Sequence, residues 1–160
     1  MGAHVVDWRF EGERGAERAD REGPMLATKA AELLALVASS YDFDGAALEL
    51  SLLICDDAVI RPLNAQWRGK DAATDVLSFP LDEGPVLGDV AISIETAATR
   101  TDGDAWRLED ELLFLLLHGV LHLLGHDHHE ASERAAMEAE EQRLWTALGR
   151  TGTLRDPQRT

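Results

Sequence analysis

The feature that most restricts the fold of this chain is an apolar stretch of 13 residues, Leu112 to Leu124, whose only polar side chains are two histidines. A helix needs about 20 apolar residues to cross a bilayer, so this stretch predicts a helix buried inside the protein. Acidic residues at positions 109–111 favour the positive end of a helix dipole. With Asp104 as a candidate N-cap, we predict one long helix from Asp104 to Leu124.

The two histidines, His118 and His122, are four positions apart. On a helix this offset is about 40° of rotation and about 6 Å of rise, so both imidazoles leave the same face. They can share one cation at about 2.0–2.1 Å from each nitrogen. Gly125 suits the left-handed position that ends many helices. The chain can turn back there, so that His128 can reach the same cation as a third ligand. Three protein ligands leave one position open, which is typical of a catalytic zinc site.

A single histidine on an apolar helix is more often a hydrogen-bonded core residue than a metal ligand. Two of them among leucines are harder to explain in that way, because each buried imidazole needs its own partner. The third, His128, lies beyond a helix-ending glycine, and together the three favour one metal ion, zinc or nickel. We expect His126 and His129 to face solvent or to lie beside the site rather than to bind the metal.

Gly119 lies inside the predicted helix, where glycine costs about 1 kcal/mol relative to alanine. A side chain there is expected to crowd either the open side of the metal or a packed strand. The spacing His-x3-His-x2-Gly-x2-His is that of the metzincin peptidases, which place a glutamate general base directly after the first histidine. Because glycine occupies that position here, a metallopeptidase is the second hypothesis rather than the first.

The formal net charge of −15 is unusual for a protein that binds nucleic acid over a wide surface. Eleven acidic residues lie between Asp102 and Glu141, against two arginines, and we interpret them as solvated helix faces. The segment from Val59 to Ala73 differs, since its charged residues are mostly basic: Arg61, Arg68, Lys70 and Asp71. A polyanion would have to bind at this segment.

At 160 residues the chain suits a single domain, residues 1–160, with a polar tail from about residue 150 that we expect to fray. Its one cysteine, Cys55, excludes an intramolecular disulfide and favours a reducing compartment. The N-terminus has no basic segment followed by an apolar one, so no signal peptide is predicted, and the cytoplasm is the expected location.

Apolar periodicity and turn residues predict the remaining elements. The predicted strands are Val5–Phe10, Leu48–Cys55, Thr74–Pro80 and Val86–Ile94. The predicted helices are Met25–Ser39, Ala58–Gln66 with Asp56 as its cap, and Glu130–Leu148, which Gly149 stops. Residues 11–23 lack periodicity and are predicted to form a loop, and residues 82–85 have the composition of a hairpin turn.

Three blocks of this sequence resemble one known family. The first block is His118–His128, reading HGVLHLLGHDH, the second comprises Leu63–Asp71 and Thr74–Pro80, and the third is Leu87–Ser93. In order and spacing they resemble the YbeY-type endoribonucleases, which are bacterial rRNA maturation factors, over roughly residues 48–148. His126 stands where the family usually has tyrosine or phenylalanine, and Ala73 where it commonly has proline.

The resemblance implies an α+β fold with a mixed sheet of about four strands, packed helices and a central zinc-binding helix. It also implies single-strand-specific hydrolysis of RNA, with a role in small-subunit rRNA maturation and ribosome quality control. It places Arg68 beside the zinc, where a planar guanidinium suits a phosphate and its developing charge.

The resemblance leaves the roles of several charged residues near the site open. As an alternative to phosphate binding, Arg68 pairs with Asp71 or Asp75 at the surface. Lys70 either guides the RNA strand or remains solvated. Two other aspartates are candidates to orient the ligand imidazoles: Asp89 and Asp127. The alternative for Asp127 is that it starts the following helix.

Three hypotheses follow: a zinc-dependent endoribonuclease, a metzincin-like metallopeptidase, and a non-catalytic ribosome assembly factor whose zinc is structural. The acidic charge predicts weak binding of naked RNA. A ribosomal protein or an assembly GTPase acting on the small ribosomal subunit is therefore expected to deliver the single-stranded rRNA. Neither DNA nor a membrane is expected among the partners.

Overall fold

The computed structural model describes residues 4–102, 107–151 and 154, without the side chains of Asp82 and Glu83. The strands are β1 (Val5–Glu11), β2 (Glu49–Cys55), β3 (Val76–Glu83) and β4 (Val86–Ser93). The helices are α1 (Ala16–Ser40), α2 (Asp57–Arg68), α3 (Ile94–Thr101), α4 (Leu108–Leu123) and α5 (Ala131–Ala147). All four predicted strands are confirmed, with ends that differ by at most three residues.

The strands form one mixed sheet in the order β1, β2, β4, β3. β1 runs parallel to β2 and β2 parallel to β4, whereas β3 is antiparallel to β4. The connection from β1 to the parallel β2 passes through α1, and the connection from β2 to the parallel β4 includes α2. A tight turn at Gly84 joins the antiparallel β3 and β4. The α+β fold with a four-stranded mixed sheet is thus confirmed, and β1 and β3 are its edge strands.

Helix α1 begins earlier than predicted. The prediction of a loop over residues 11–23 is wrong for residues 16–23, which form about the first two turns of α1. Ala19, Gly23 and Leu26 are buried at helical spacing, but two of the three are small and carry almost no apolar signal. The helix crosses Trp8 closely at Gly23, since a Cβ atom there would lie 2.3 Å from the indole.

Helix α3 is absent from the predicted elements. Ser93 ends β4 and also caps α3, because its Oγ accepts from the backbone nitrogen of Thr96 at 3.2 Å, so no loop separates strand from helix. Ile94, predicted as the end of the strand, is instead the first residue of α3. The next helix, α4, begins at Leu108, and the predicted cap Asp104 lies outside the described residues.

Helix α4 is the buried centre of the fold. All residues from Glu111 to Leu121 are buried, and the helix contacts β3 and β4 of the sheet as well as α1, α3 and α5. Its apolar side chains join those of α1, β2 and β4 in one core cluster, which confirms the predicted burial. In the described part of the chain, no helix is both long and apolar enough to span a membrane.

Helices α2 and α5 begin and end close to their predicted positions. Asp56 caps α2, because its Oδ1 accepts from the backbone nitrogen of Val59 at 3.0 Å. Its Oδ2 accepts from the backbone nitrogens of Glu13 and Arg14 at 2.8 and 3.1 Å, so one buried carboxylate also fixes the loop after β1. α5 ends just before Gly149, whose φ of 86° turns the chain out of the helix.

Candidate metal centre and its cleft

Three histidines converge where α4 ends. His118, His122 and His128 each offer a ring nitrogen, and these nitrogens all lie within 4.8 Å of one another. His118 and His122 share one face of α4, and their Nε2 atoms are 3.1 Å apart. Gly125, with a φ of 96°, turns the chain back after the helix, so the ring centroids of His128 and His118 are 5.7 Å apart. The structure thus brings the three predicted ligands together.

The outer nitrogens of the two helical histidines are held by oxygen atoms. His118 Nδ1 lies 2.7 Å from Glu141 Oε2 on α5, and His122 Nδ1 lies 2.9 Å from the backbone oxygen of His126. Carboxylate and carbonyl oxygens accept, so both Nδ1 atoms donate and carry the ring hydrogen. The two Nε2 atoms are left as lone-pair acceptors that face each other.

Two acceptors 3.1 Å apart repel each other unless a proton or a metal ion lies between them. Nitrogens bound to one tetrahedral zinc at about 2.0–2.1 Å are themselves about 3.4 Å apart, which is close to this separation. Burial, and then the neighbouring rings of His118 and His128, lowers the pKa of His122 to about 4, so this ring is neutral at pH 7, as a metal ligand must be. The three histidines therefore fit a divalent metal ion.

Glu141 lies at the site but is not among the predicted site residues. Only 5% of its surface is exposed, and it shares a buried stripe of α5 with Met137, Leu144 and Trp145. A carboxylate on the buried stripe of a helix is the signal that could have revealed it, because a buried charge needs a partner. Its partner is His118, and this contact orients the ring whose Nε2 faces the cluster.

Neither of the two aspartates predicted to orient the ligand rings holds one of those rings in the described part of the chain. Asp89 is exposed and faces away from α4, because strand alternation places the next residue, the buried Val90, against that helix. Asp127 accepts from the backbone nitrogen of His128 at 2.8 Å and lies 3.2 Å from Nε2 of His129. Asp127 therefore shapes the loop that carries His128 instead of holding a ligand ring.

His126 lies beside the cluster and not in it, as expected. Its Nε2 atom is 2.8 Å from the hydroxyl of Tyr41, which donates to Glu140 Oε2 at 2.6 Å. Because that hydroxyl hydrogen is committed to Glu140, the tyrosine oxygen accepts from His126 Nε2. Arg143 also donates to Glu140, at 2.6 and 2.8 Å. These hydrogen bonds tie the loop after α4 to α5 and to the end of α1.

Gly119 brings α4 into close approach to the sheet. A Cβ atom at this position would lie 2.9 Å from Val90 Cγ1 and 3.2 Å from Ser78 Oγ. Ser78 Oγ also donates to the backbone oxygen of Gly119 at 2.7 Å. Of the two expected reasons for this glycine, the packed strand is therefore confirmed, and the same packing leaves no room for a glutamate general base.

The histidine cluster opens into a cleft of about 760 Å³ between the loop after α4 and the segment that joins α2 to β3. Arg68, Lys70 and Arg100 supply cations to its lining. Arg68 is the last residue of α2, and Gly69, with a φ of 72°, turns the chain out of the helix there. Asn64 fixes the following loop, because its Nδ2 donates to the backbone oxygen of residue 72 at 2.8 Å.

The structure does not pair Arg68 with either of the two aspartates considered for it. Asp71 pairs with Arg61 at 2.8 Å, and Asp75 pairs with Arg100 at 2.6 Å. Within the residues that the structure describes, neither Arg68 nor Lys70 forms an ion pair. Both cations are exposed and line the cleft, where an anion can reach them.

A family model with the description Endoribonuclease YbeY matches residues 16–149. The chain belongs to the YbeY family. This match contains all three sequence blocks that carry the resemblance, which is thereby confirmed. The fold of this YbeY-family chain is similar to the solution structure of a Thermotoga maritima protein, with a TM-score of 0.54 and 22% identity over 94% of this chain and 99% of the other.

Three relatives of this YbeY-family chain bear the name endoribonuclease YbeY. One from Anaeromyxobacter sp. (strain Fw109-5) is 47% identical over 131 residues, which cover 79% of this chain and 65% of the relative. One from Anaeromyxobacter dehalogenans is 49% identical over 116 residues, covering 69% of this chain and 60% of the relative. One from Paramagnetospirillum magneticum is 40% identical over 136 residues, covering 79% and 83%. The chain thus spans less than two thirds of the length of the two Anaeromyxobacter relatives.

Proposed function

We propose that this chain is a zinc-dependent endoribonuclease that cleaves single-stranded RNA and acts in small-subunit rRNA maturation and ribosome quality control. The observation that carries this proposal is the pair of histidine Nε2 lone pairs, 3.1 Å apart, beside a cleft that also exposes Arg68. Metal-ligand nitrogens and a phosphate-binding cation in one cleft suit hydrolysis of a phosphodiester. The family match and the names of the relatives support the same activity.

In this proposal His118, His122 and His128 hold the metal. Three neutral imidazoles suit zinc and leave one position for a further group. A zinc ion bound there supplies Lewis acidity, which polarises a phosphoryl oxygen and lowers the pKa of a water molecule. The same nitrogen atoms also suit nickel, so the metal content of the purified protein decides between the two ions.

Arg68 holds the phosphate of the substrate. Its guanidinium is exposed at the end of α2 and has no ion pair among the described residues, so two of its nitrogens can donate to one phosphate. Charge that develops on the phosphate oxygens is then stabilised by the guanidinium. Glu141 keeps the His118 ring in the tautomer that leaves Nε2 free, and Lys70 adds positive charge along the cleft.

A metallopeptidase is disfavoured by the packing of α4. The general base of a metzincin-like enzyme would stand at Gly119, where a Cβ atom would lie 2.9 Å from Val90. Glu141 does not replace it, because its Oε2 accepts from His118 Nδ1, the ring nitrogen that does not face the cluster.

The net charge of −15 determines how RNA reaches the cleft. This net charge repels free RNA, so its binding should be weak. The phosphate contacts that Arg68 and Lys70 do make should weaken further as salt rises. We infer that a ribosomal protein or an assembly GTPase on the small subunit delivers the single-stranded rRNA, in the cytoplasm.

The proposed activity is tested with an rRNA fragment that has a single-stranded 3′ extension. The zinc-loaded wild type is compared with His122→Ala, Arg68→Ala and Arg18→Ala, all purified in the same way. Arg18 is exposed on α1 and lies outside the cleft, so Arg18→Ala removes the same charge elsewhere. We expect cleavage by the wild type and Arg18→Ala only, with loss on chelation and recovery when zinc is added.

Two different results would favour the assembly factor or the metallopeptidase instead. Equal cleavage by all four proteins would reveal a contaminating ribonuclease and favour an assembly factor whose zinc is structural. Cleavage of a peptide library that stops on chelation, without cleavage of RNA, would favour the metallopeptidase. An RNA duplex and a DNA strand of the same sequence serve as substrate controls, and neither is expected to be cut.

A further inference from the structure

Trp67 exposes 53% of its surface and lines the cleft directly beside Arg68. Along α2 it follows the buried Ile60 and the half-buried Leu63 at helical spacing, so it lies on the apolar face of the helix. The buried residues of α2 end before it, at Asn64. The indole therefore continues the apolar face beyond the core and into the cleft.

The indole of Trp67 is supported from the sheet. Phe79 on β3 lies 5.0 Å away, ring centroid to ring centroid, at an interplanar angle of 60°. Phe79 packs in turn against a small core cluster that includes Ile60 and Leu77. An aromatic ring that is already held in place loses little conformational entropy when a flat group stacks on its exposed surface.

The charges beside the indole favour a polyanion. Arg68 and Lys70 are exposed, and neither has an ion pair within the described residues. The chain as a whole carries a net charge of −15, so these two cations stand out against an acidic protein. A nucleic acid strand would contact the indole with a base and the cations with its phosphates. An apolar protein segment would use the indole alone.

We propose that Trp67 stacks on an unpaired base of the bound RNA strand, next to the phosphate that Arg68 holds. This inference rests on the endoribonuclease function proposed above and names the subsite that selects single-stranded substrate. A base inside a duplex is stacked on its neighbours, so a strand must release a base before the indole can contact its face. Every base has such a face, so the subsite selects unpaired strands with little preference for sequence.

Steady-state cleavage of the RNA with a single-stranded 3′ extension tests this subsite in the zinc-loaded enzyme. Trp67→Ala is expected to raise KM by about 5- to 150-fold, the range that base–aromatic stacking represents, with a smaller change in kcat. Trp67→Phe retains an aromatic face and is expected to keep most of the affinity. Leu81→Ala is the matched control, because Leu81 is also apolar and 49% exposed but lies outside the cleft.

Abasic substrates locate the contact. In the wild type, one abasic position in the extension should raise KM as Trp67→Ala does, and in Trp67→Ala that position should have no further effect. If the effects of Trp67→Ala and of the abasic substitution on KM were additive at every position of the extension, the proposal would be overturned, because indole and base would then act independently. An unchanged KM together with a lower free energy of unfolding in Trp67→Ala would also overturn it, since the indole would then only cover Phe79.

Failure of the proposed activity is distinguishable from failure of the subsite. If the wild type cleaves no RNA, binding of the same oligonucleotides, labelled with fluorescein, is measured by anisotropy at low salt. Weaker binding by Trp67→Ala than by Leu81→Ala would support the subsite even without cleavage. Equal binding by both variants and the wild type would overturn it.

Discussion

His118 Nδ1 lies 2.7 Å from Glu141 Oε2, and this contact joins α4 to α5 directly behind the histidine cluster. Both side chains are buried, with 8% and 6% of their side-chain surface exposed. A carboxylate in this position fixes the orientation of the ring and keeps its hydrogen on Nδ1. We therefore expect metal binding to depend on a residue 23 positions away from the ring that it holds.

Glu141→Gln is expected to weaken zinc binding by about 10- to 100-fold. The amide has nearly the shape of the carboxylate but carries no charge, so it holds the protonated Nδ1 less firmly. Competition with a chromophoric chelator at pH 7 measures the affinity. Glu138→Gln is the matched control, because Glu138 is exposed on the same helix. Equal zinc affinity in the two variants would show that Glu141 does not orient the ligand.

The parts of the site that the sequence alone predicts are those set by local geometry. His118 and His122 share a face because a helix places residues four apart above one another. His128 reaches the same point because Gly125 adopts the left-handed conformation that the sequence predicts there. Both predictions need only the helix period and the properties of one glycine.

The parts that could not be predicted depend on contacts between distant segments. Glu141 reaches His118 from another helix, and only the packing of α5 on α4 reveals that contact. From the sequence, Asp89 is a second candidate to hold a ligand ring, but it lies on the opposite face of β4 from Val90, which contacts α4. The sequence alone does not show which face of the strand packs against α4. The first turns of α1 were missed for a similar reason, since Gly23 is buried by Trp8 on a neighbouring strand.

The metal-free protein is expected to lose stability as the pH falls from about 6.5 to about 4. Burial first, and then the rings of His118 and His128, lowers the pKa of His122 to about 4 in the folded state. In that interval the unfolded chain binds a proton at His122 that the folded chain does not bind. The contribution to stability is therefore present above about pH 6.5 and lost as the pH falls through 4.

Urea unfolding in the presence of a chelator, at half-unit steps from pH 7 to pH 4, measures this loss. His122→Gln is expected to show a shallower fall in the free energy of unfolding, because its side chain binds no proton. His129→Gln is the control, since the His129 side chain is 78% exposed, and it should follow the wild type. Parallel curves for the wild type and His122→Gln would contradict the assignment of the proton to His122.

Tyr41→Phe is expected to destabilise the fold by about 1 kcal/mol. The hydroxyl donates to Glu140 at 2.6 Å and accepts from His126 at 2.8 Å, so its removal breaks two hydrogen bonds that hold the loop after α4. Hydrogen bonds from Arg143, and then from Tyr41, outweigh burial and lower the pKa of Glu140 to about 2, so this acceptor is ionised at neutral pH.

A double-mutant cycle with His126→Phe tests whether Tyr41 acts through that ring. The two substitutions should be non-additive by about 0.5 kcal/mol or more, because each alone removes the contact between the two side chains. Urea unfolding at pH 7 measures all four proteins. Additive losses would mean that the tyrosine hydroxyl stabilises Glu140 independently of the loop.

Gly119→Ala is expected to destabilise the protein by about 1 kcal/mol, although alanine is the better helix former. The new Cβ atom would lie 2.9 Å from Cγ1 of the buried Val90, and such overpacking costs about 1–3 kcal/mol against about 1 kcal/mol gained in helix propensity. In a Val90→Ala background that methyl group is gone, so the same substitution should become neutral or stabilising. Urea unfolding of the four proteins measures the change of sign. The same loss in both backgrounds would mean that contact with Val90 is not what requires glycine at this position.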